Sequence, residues 1–491
     1  MKSKFSKVLS ILLSVVLVIS SFYLLYQVIR LNVLPSKFLF PLTIGVVVLD
    51  AIFILLLIYF SKNVVSKIVC IVLTLFICVA SCMGGYYISK TQNVLSNITN
   101  VAKHAKNTVS VIVKESSSIK NKSQLNGVSV GSLRLNEQGS KKVLKELSSE
   151  GIVLNQTEYD SMTALLEAFY NGEVDSIIIN ESRRSQILDM EAYSNFDSNT
   201  RVVYQTSYKV KNNDSATSVS DITSKPFNVL ISGSDTRGGF DENGRSDVIM
   251  IATVNPKTGT ILLTSIPRDF YVTTACDAGD GCMQGALDKI THTGIHGTNT
   301  TKRTVEQLLG IEINYTFKVG FDTVTELVDI LGGVDVYVEP GYATTTSQFS
   351  VHEGVNHLNA QQALAFARER YSYTEGDRQR TKNQQQVLMG IVKEVTKPSV
   401  ITNYAAIMDT MANTFSTTMS NEEITDLIKY QLNNNPTWKM EQYMVDGTGD
   451  TLMCAELGDA ASVMVPDQST VKMAKDKINA VLAGKSSEDV K

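Results

Sequence analysis

The chain has 491 residues, with 45 Lys and Arg against 49 Asp and Glu, for a formal net charge of −4. That balance excludes a generally basic nucleic-acid binder, so any cluster of cations is a local feature. Six cysteines in this length exclude a disulfide scaffold, and the length leaves room for two or three domains.

Three apolar stretches come first: Val8–Ile29, Phe38–Phe60 and Ile68–Ile88. Each is about long enough to cross a hydrocarbon core of roughly 30 Å. The two later stretches, and the lack of a small-residue cleavage site, argue against a cleaved signal peptide. Lys2, Lys4 and Lys7 precede the first stretch, and Lys62 and Lys67 separate the second from the third, against Arg30 and Lys37 in the first loop. This bias predicts a cytoplasmic N-terminus and, after three crossings, an extracellular chain beyond Tyr87. Residues 1–90 therefore read as a three-helix membrane anchor in a multi-pass cell-membrane protein.

Residues 91–212 read as a stalk and a small accessory α/β domain. The stalk is predicted helical over 89–120, with Val94, Leu95, Ile98, Val101 and Ala105 on its apolar side. "GVSVGSL" reads as a strand and "SKKVLKELSSEGI" as an amphipathic helix. "SMTALLEAFYNGEVDSIIIN" reads as a helix stopped at Gly172 and a buried strand, and "TRVVYQTSYKV" as a further strand. The Ser-, Thr-, Asn- and Asp-rich segment 213–225 reads as a linker.

Residues 226–485 read as a second α/β domain. It opens with the strand "PFNVLISGSD" and continues with "SDVIMIATVNP" and "GTILLTSIPRD", a hairpin about a Pro-Lys-Thr-Gly turn. The helix "TKRTVEQLLG", the strand "NYTFKVG", the helix "FDTVTELVDILGG" and the strand "VDVYVEP" follow. After the arginine-rich segment "AFARERYSYTEGDRQRTKNQQQ", helices run to about residue 430. The predicted fold class is α/β, with a central mixed sheet flanked by helices.

Charged residues gather at the strand ends of this domain: Asp235, Arg245 and Asp247, and Arg268 and Asp269. Strand ends feed the loops that build binding sites in α/β folds. Arg368 and Arg370 end one helix, and Asp377 begins another, on which Arg380 and Gln384 share a face. Asp377 is placed to cap that helix, and Arg378 points elsewhere. Arginine's planar fork matches phosphate oxygens, and carboxylates beside it suit Mg²⁺ or Mn²⁺ carried on a diphosphate. Surface ion pairing is the competing explanation for any single Arg–Asp pair.

The ordered motifs "SGSDTR", "GRSDVIMIATVNP", "LTSIPRD", "DKITHTGIHG", "FDTVTELVDILGGVDV", "HLNAQQALAFARER" and "GDRQRTKNQQ" resemble the LytR–CpsA–Psr family over about 227–395. Three spans and an accessory domain resemble its capsule-associated streptococcal members. The resemblance implies a glycopolymer–peptidoglycan phosphotransferase. Such an enzyme moves a capsular or related polymer from an undecaprenyl-pyrophosphate carrier to a peptidoglycan sugar hydroxyl. It also implies that Asp235 and Asp247 bind Mg²⁺, and that Arg245, Arg268, Arg368, Arg370, Arg380 and Gln384 bind the pyrophosphate. Asp235, Arg245, Asp247, Arg268 and Asp377 then form the catalytic set, with Asp247 or Asp377 assisting deprotonation. Capsule export or synthesis proteins are further expected partners, and nucleic acid is not. A non-catalytic polyisoprenyl-diphosphate-binding regulator, or a transcriptional attenuator, is the alternative.

The lipid needs an apolar tunnel, for which Val324, Leu327, Val328 and Leu331 stand at helical spacing, although such stripes commonly form ordinary core. His292 reads as structural, and Asp288 with Lys289 as a structural pair. Cys276 and Cys282, on an oxidising side, either form a disulfide or remain free. Trp438 reads as a packing residue.

Overall fold

A computed structural model describes the chain except residues 1, 61–62, 102–103, 135–136, 212, 235–241, 278–280, 398–405, 408–409, 411–414 and 491. It divides into two bodies, one of 1–97, 396–412 and 420–437, the other of 98–395, 413–419 and 438–491.

Among the described residues, three helices are long and apolar enough to cross a membrane, at Lys7–Leu31, Ser36–Tyr59 and Val64–Thr99. The third helix, Val64–Val101, continues well past the apolar stretch. A shorter helix, Asn421–Asn434, is opened by Ser420 in a reciprocal cap with Glu423. The stalk reading is half corrected: the chain is helical to Val101 but extended from His104. The run "TVSVIV" within it alternates and is β-branched, which favours a pleated surface over a helix.

In the second body, the accessory domain is a five-stranded sheet formed by β1 (His104–Lys114), β2 (Ser129–Leu133), β3 (Asn155–Tyr159), β4 (Ser176–Asn180) and β5 (Thr200–Lys211). Their order is β3-β2-β4-β1-β5. Ile177 and Ile179 enter one core with Leu165 and Phe169, while Ile178 enters another with Val143 and Leu147. This is the two-sided burial of an inner strand. The helix Met162–Asn171 ends at Gly172 in the left-handed region (φ 82°), as its sequence predicts.

The larger domain is built on β6 (Phe227–Ser234), β7 (Ser246–Asn255) and β8 (Thr260–Ile266). Two parallel neighbours flank this antiparallel trio: β9 (Tyr315–Gly320) beside β6 and the strand Lys439–Met444 beside β8. Phe415–Thr417 closes the six-stranded mixed sheet antiparallel to β9. Alternation sends Leu230, Ile249, Ile251 and Leu262 into a core with the helices Thr298–Leu309 and Gln468–Leu482. Ile231, Val248 and Met250 face the other way. The helices Phe321–Leu331, Ala360–Arg368 and Asp377–Val395 pack into a second core with the strands Val334–Val338 and Gly354–Leu358. Gly390 permits that packing, since a Cβ there would lie 2.7 Å from the Asp335 carbonyl oxygen.

The segment read as a linker is tied to the larger domain. Thr217 donates its backbone N–H to the Asn314 carbonyl at 2.9 Å, and Thr316 donates its hydroxyl to Asp214 at 2.6 Å. The Cys276–Cys282 disulfide is formed, with Cα atoms 6.4 Å apart.

Candidate active site

Because β6, β7 and β8 alternate in direction, the end of β6, the start of β7 and the end of β8 share one sheet edge. Gly233 pairs with Val248 and Ser234 with Ser246, so Asp247 is the extra residue of a bulge. A bulge re-aims its side chain away from the regular ladder. The start of β7 is braced by Ser246, whose hydroxyl lies 2.9 Å from that of Ser232 and 3.1 Å from that of Thr301. Gly294 allows the turn Ile290–His296 against it: a Cβ there would lie 2.5 Å from the Gly244 carbonyl oxygen.

Arg268, just beyond β8, donates from Nη1 to Asp247 at 2.8 Å. Arg245 lies 3.9 Å from the same carboxylate. Thr291, which sequence reasoning had not singled out, donates its hydroxyl to Asp247 at 3.4 Å. Asp269 takes Lys289 at 3.2 Å and lies 3.8 Å from Arg268. The Asp288–Lys289 pair is therefore corrected: Lys289 turns to Asp269, and Asp288 bonds His292 at 2.7 Å. His292 is buried in that contact, the structural place its sequence suggested.

Asn359 caps the helix Ala360–Arg368, and the chain returns through Gly376 into Asp377–Val395. Asp377 turns along its helix to pair with Arg380. Arg378 leaves the cluster, bonding the Gly447 carbonyl at 2.8 Å and Asp446 at 2.7 Å. Arg370 lies over the Tyr371 ring, 4.6 Å from its centroid, and Tyr371 is 84% exposed. Arg368 is exposed at the end of its helix. Asp235 lies outside the described residues.

Electrostatics tie the two strand-end and helix-end groups together. Burial works to lower the Arg268 pKa, but Asp247, Asp269 and Asp377 outweigh it and raise it. Arg380 goes the other way: burial lowers its pKa, Arg268 and Arg370 lower it further, and Asp377 and Asp247 only partly compensate. Burial first, and then the neighbouring arginines, thus disfavour the charge on Arg380. The Nε–H groups of Arg245, Arg268 and Arg380 are all buried and find no hydrogen-bond acceptor among the described residues. Buried polar groups are normally satisfied, and three guanidinium donors of this kind in one cluster call for an anion.

One turn along the helix from Arg380, Gln384 is, among the described residues, the single polar side chain lining an apolar cavity of about 80 Å³. Ile231, Met250, Val319, Val324, Leu364, Ala367, Val387 and Ile391 are among its other walls. Of the four residues considered for a tunnel, Val324 lines this cavity. Val328 is buried in the adjoining core, with Leu327 and Leu331 packed against it. An anion-seeking cluster therefore adjoins an apolar cavity through a single helix.

The described residues contain no group of three or more His, Cys, Asp or Glu able to hold a metal ion. Asp247 alone, already clasped by arginine, suits a cation that keeps most of its coordination for phosphate oxygens and water, as Mg²⁺ does.

The LytR_cpsA_psr family model matches residues 192–480. A relative named polyisoprenyl-teichoic acid–peptidoglycan teichoic acid transferase TagU, from Bacillus cereus (strain AH820), is 31% identical over 241 residues, 48% of this chain and 76% of its own. TagU of Bacillus subtilis (strain 168) is 34% identical over 203 residues, 41% of this chain and 63% of its own. The crystal structure of B. subtilis TagU aligns with 29% identity and a TM-score of 0.41, covering 52% of this chain and 97% of that one. With the family match spanning more than half its length, this chain belongs to the LytR–CpsA–Psr family.

Proposed function

We propose that this protein is a membrane-anchored phosphotransferase. It moves a capsular or related cell-wall glycopolymer from undecaprenyl pyrophosphate to peptidoglycan, on the outer face of the membrane. The observation that carries this reading is the junction of an apolar cavity with three buried guanidinium donors that find no acceptor among the described residues. A diphosphate on an isoprenoid chain has the same two halves. Family membership and relatives named as transferases of polyisoprenyl-linked teichoic acid to peptidoglycan support it.

Arg245, Arg268 and Arg380 hold the diphosphate oxygens, and Gln384 stands where head meets tail. The acceptor sugar hydroxyl attacks the phosphorus that bears the polymer. The new phosphodiester forms as the bond to the bridging oxygen breaks, and undecaprenyl phosphate leaves. Fixed guanidinium groups stabilise charge on the transferring phosphoryl oxygens without reorganising. The hydroxyl proton passes to a carboxylate. Asp377, with its side chain 28% exposed against 12% for Asp247, is the more reachable base. Asp247 is engaged by Arg268 and serves to orient it. Asp247, with Asp235 in the sequence, would hold Mg²⁺, which when bound supplies further charge neutralisation at the diphosphate.

The test is direct binding. The full chain in detergent should bind geranylgeranyl diphosphate more tightly than inorganic pyrophosphate, and Arg380→Gln should weaken both. Equal affinity for the two probes would remove the lipid half of the reading.

A further inference from the structure

Arg245 is not left to the substrate side alone. Its Nη1 pairs with Asp189, the last residue of the helix Arg184–Asp189 in the accessory domain. The partners are unequally buried: the Arg245 side chain is 10% exposed and that of Asp189 is 56% exposed. A carboxylate that is already more than half hydrated loses little on returning to water. A buried guanidinium, by contrast, must keep an anion, because leaving such a charge unpaired is costly. Asp247 is a poor replacement, 3.9 Å away and bonded to Arg268 at 2.8 Å. A phosphate oxygen arriving at Arg245 therefore meets an exchangeable carboxylate in its place.

The approach of Asp189 is set by a fixed anchor. Arg183, one residue before its helix, pairs with Glu456 of the larger domain, and both are buried. His296 holds the same carboxylate at 3.0 Å. The helix is thus pinned at its start, while its last side chain rests on the arginine cluster.

We infer that Asp189 is a built-in competitor for the diphosphate at Arg245, coupling the accessory domain to occupancy of the site. This rests on the diphosphate reading above. Coupling of this kind is reciprocal. Diphosphate binding releases the Asp189 end of its helix, and anything that draws that end from Arg245 favours diphosphate binding.

The experiment uses the full chain in detergent, with geranylgeranyl diphosphate as the probe. Asp189→Asn should bind about tenfold more tightly than wild type, within the roughly 5–150-fold range usual for coupling between sites, and Asp189→Glu should restore wild-type affinity. In wild type, the probe should speed amide hydrogen exchange over 186–190 and leave β4 unchanged. Unchanged affinity in Asp189→Asn overturns the inference, as does unchanged exchange. Weaker binding also overturns it, making Asp189 a group that positions Arg245. If wild type fails to bind the probe at all, the reading of the site fails first. Binding in wild type without an Asp189 effect sinks the coupling alone.

Discussion

Ala367 offers a way to separate the lipid half of the site from the phosphate half. It is 6% exposed near the end of the helix Ala360–Arg368, and its side chain lines the apolar cavity of about 80 Å³. Ala367→Leu adds three carbons to that wall, displacing about as many from a bound isoprenoid. At about 0.8 kcal/mol for each buried carbon, the loss is about 2.4 kcal/mol, or roughly 50-fold in affinity. Calorimetric titration of the full chain in detergent would follow geranylgeranyl diphosphate and inorganic pyrophosphate in parallel. The lipid should weaken by about that factor, while pyrophosphate, which does not need the cavity, should change by less than about twofold. An unchanged lipid affinity would show that the chain lies elsewhere. An equal loss for both probes would show that overpacking had disturbed the arginine cluster, and the reasoning from cavity to lipid would fail.

Other substitutions test other parts. Arg268→Ala should lower turnover by about 10²–10³, the usual cost of one charge-stabilising donor, whereas Arg378→Ala, whose partners are Asp446 and the Gly447 carbonyl, should transfer nearly as well as wild type. Glu456→Ala strands the buried Arg183 and should destabilise the second body by about 3–5 kcal/mol, read as faster hydrogen exchange around both residues. Burial alone would raise the Glu456 pKa, but Arg183 and His296 depress it below the usual range. Its stabilisation should therefore stand above the ordinary carboxylate pKa and fade only as pH falls through the depressed value. Asp214 has the opposite sign. Burial raises it to about 6 against the hydroxyl bond from Thr316, so its contribution is present below about pH 4 and lost as pH rises through 6. Asp214→Asn should flatten that part of the stability–pH curve, a change of up to about 3 kcal/mol.

Much of the fold was legible because local signals agreed. The apolar stretches, the turn-bounded apolar runs of β6, β7 and β8, and the helix stop at Gly172 each have one dominant reading. His104–Lys114 was misread because the apolar positions before it suit a helix and outweighed its own β-branched run; pairing with β4 and β5 makes it a strand. The arginine and aspartate positions could be picked out because strand ends and helix starts are visible in a sequence. Their meeting depends on long-range register, including the bulge that turns out Asp247. Asp189 carried no signal of its own. It is one acidic residue at the end of a short helix, and only docking of the accessory domain brings it to Arg245. The exchange of partners by Lys289 has the same origin, since Asp269 is twenty positions away in sequence but adjacent across the strand ends.

Transfer itself is the most direct test of the central claim. Full chain in detergent would receive a polyprenyl-pyrophosphate-linked glycan and peptidoglycan fragments, with and without Mg²⁺, beside Arg268→Ala and Asp247→Ala. Phosphodiester-linked product from wild type, dependent on Mg²⁺ and lost in both variants, is the predicted result. Tight binding of the lipid-linked glycan with no product under any condition would contradict the account and leave a binding protein in place of an enzyme.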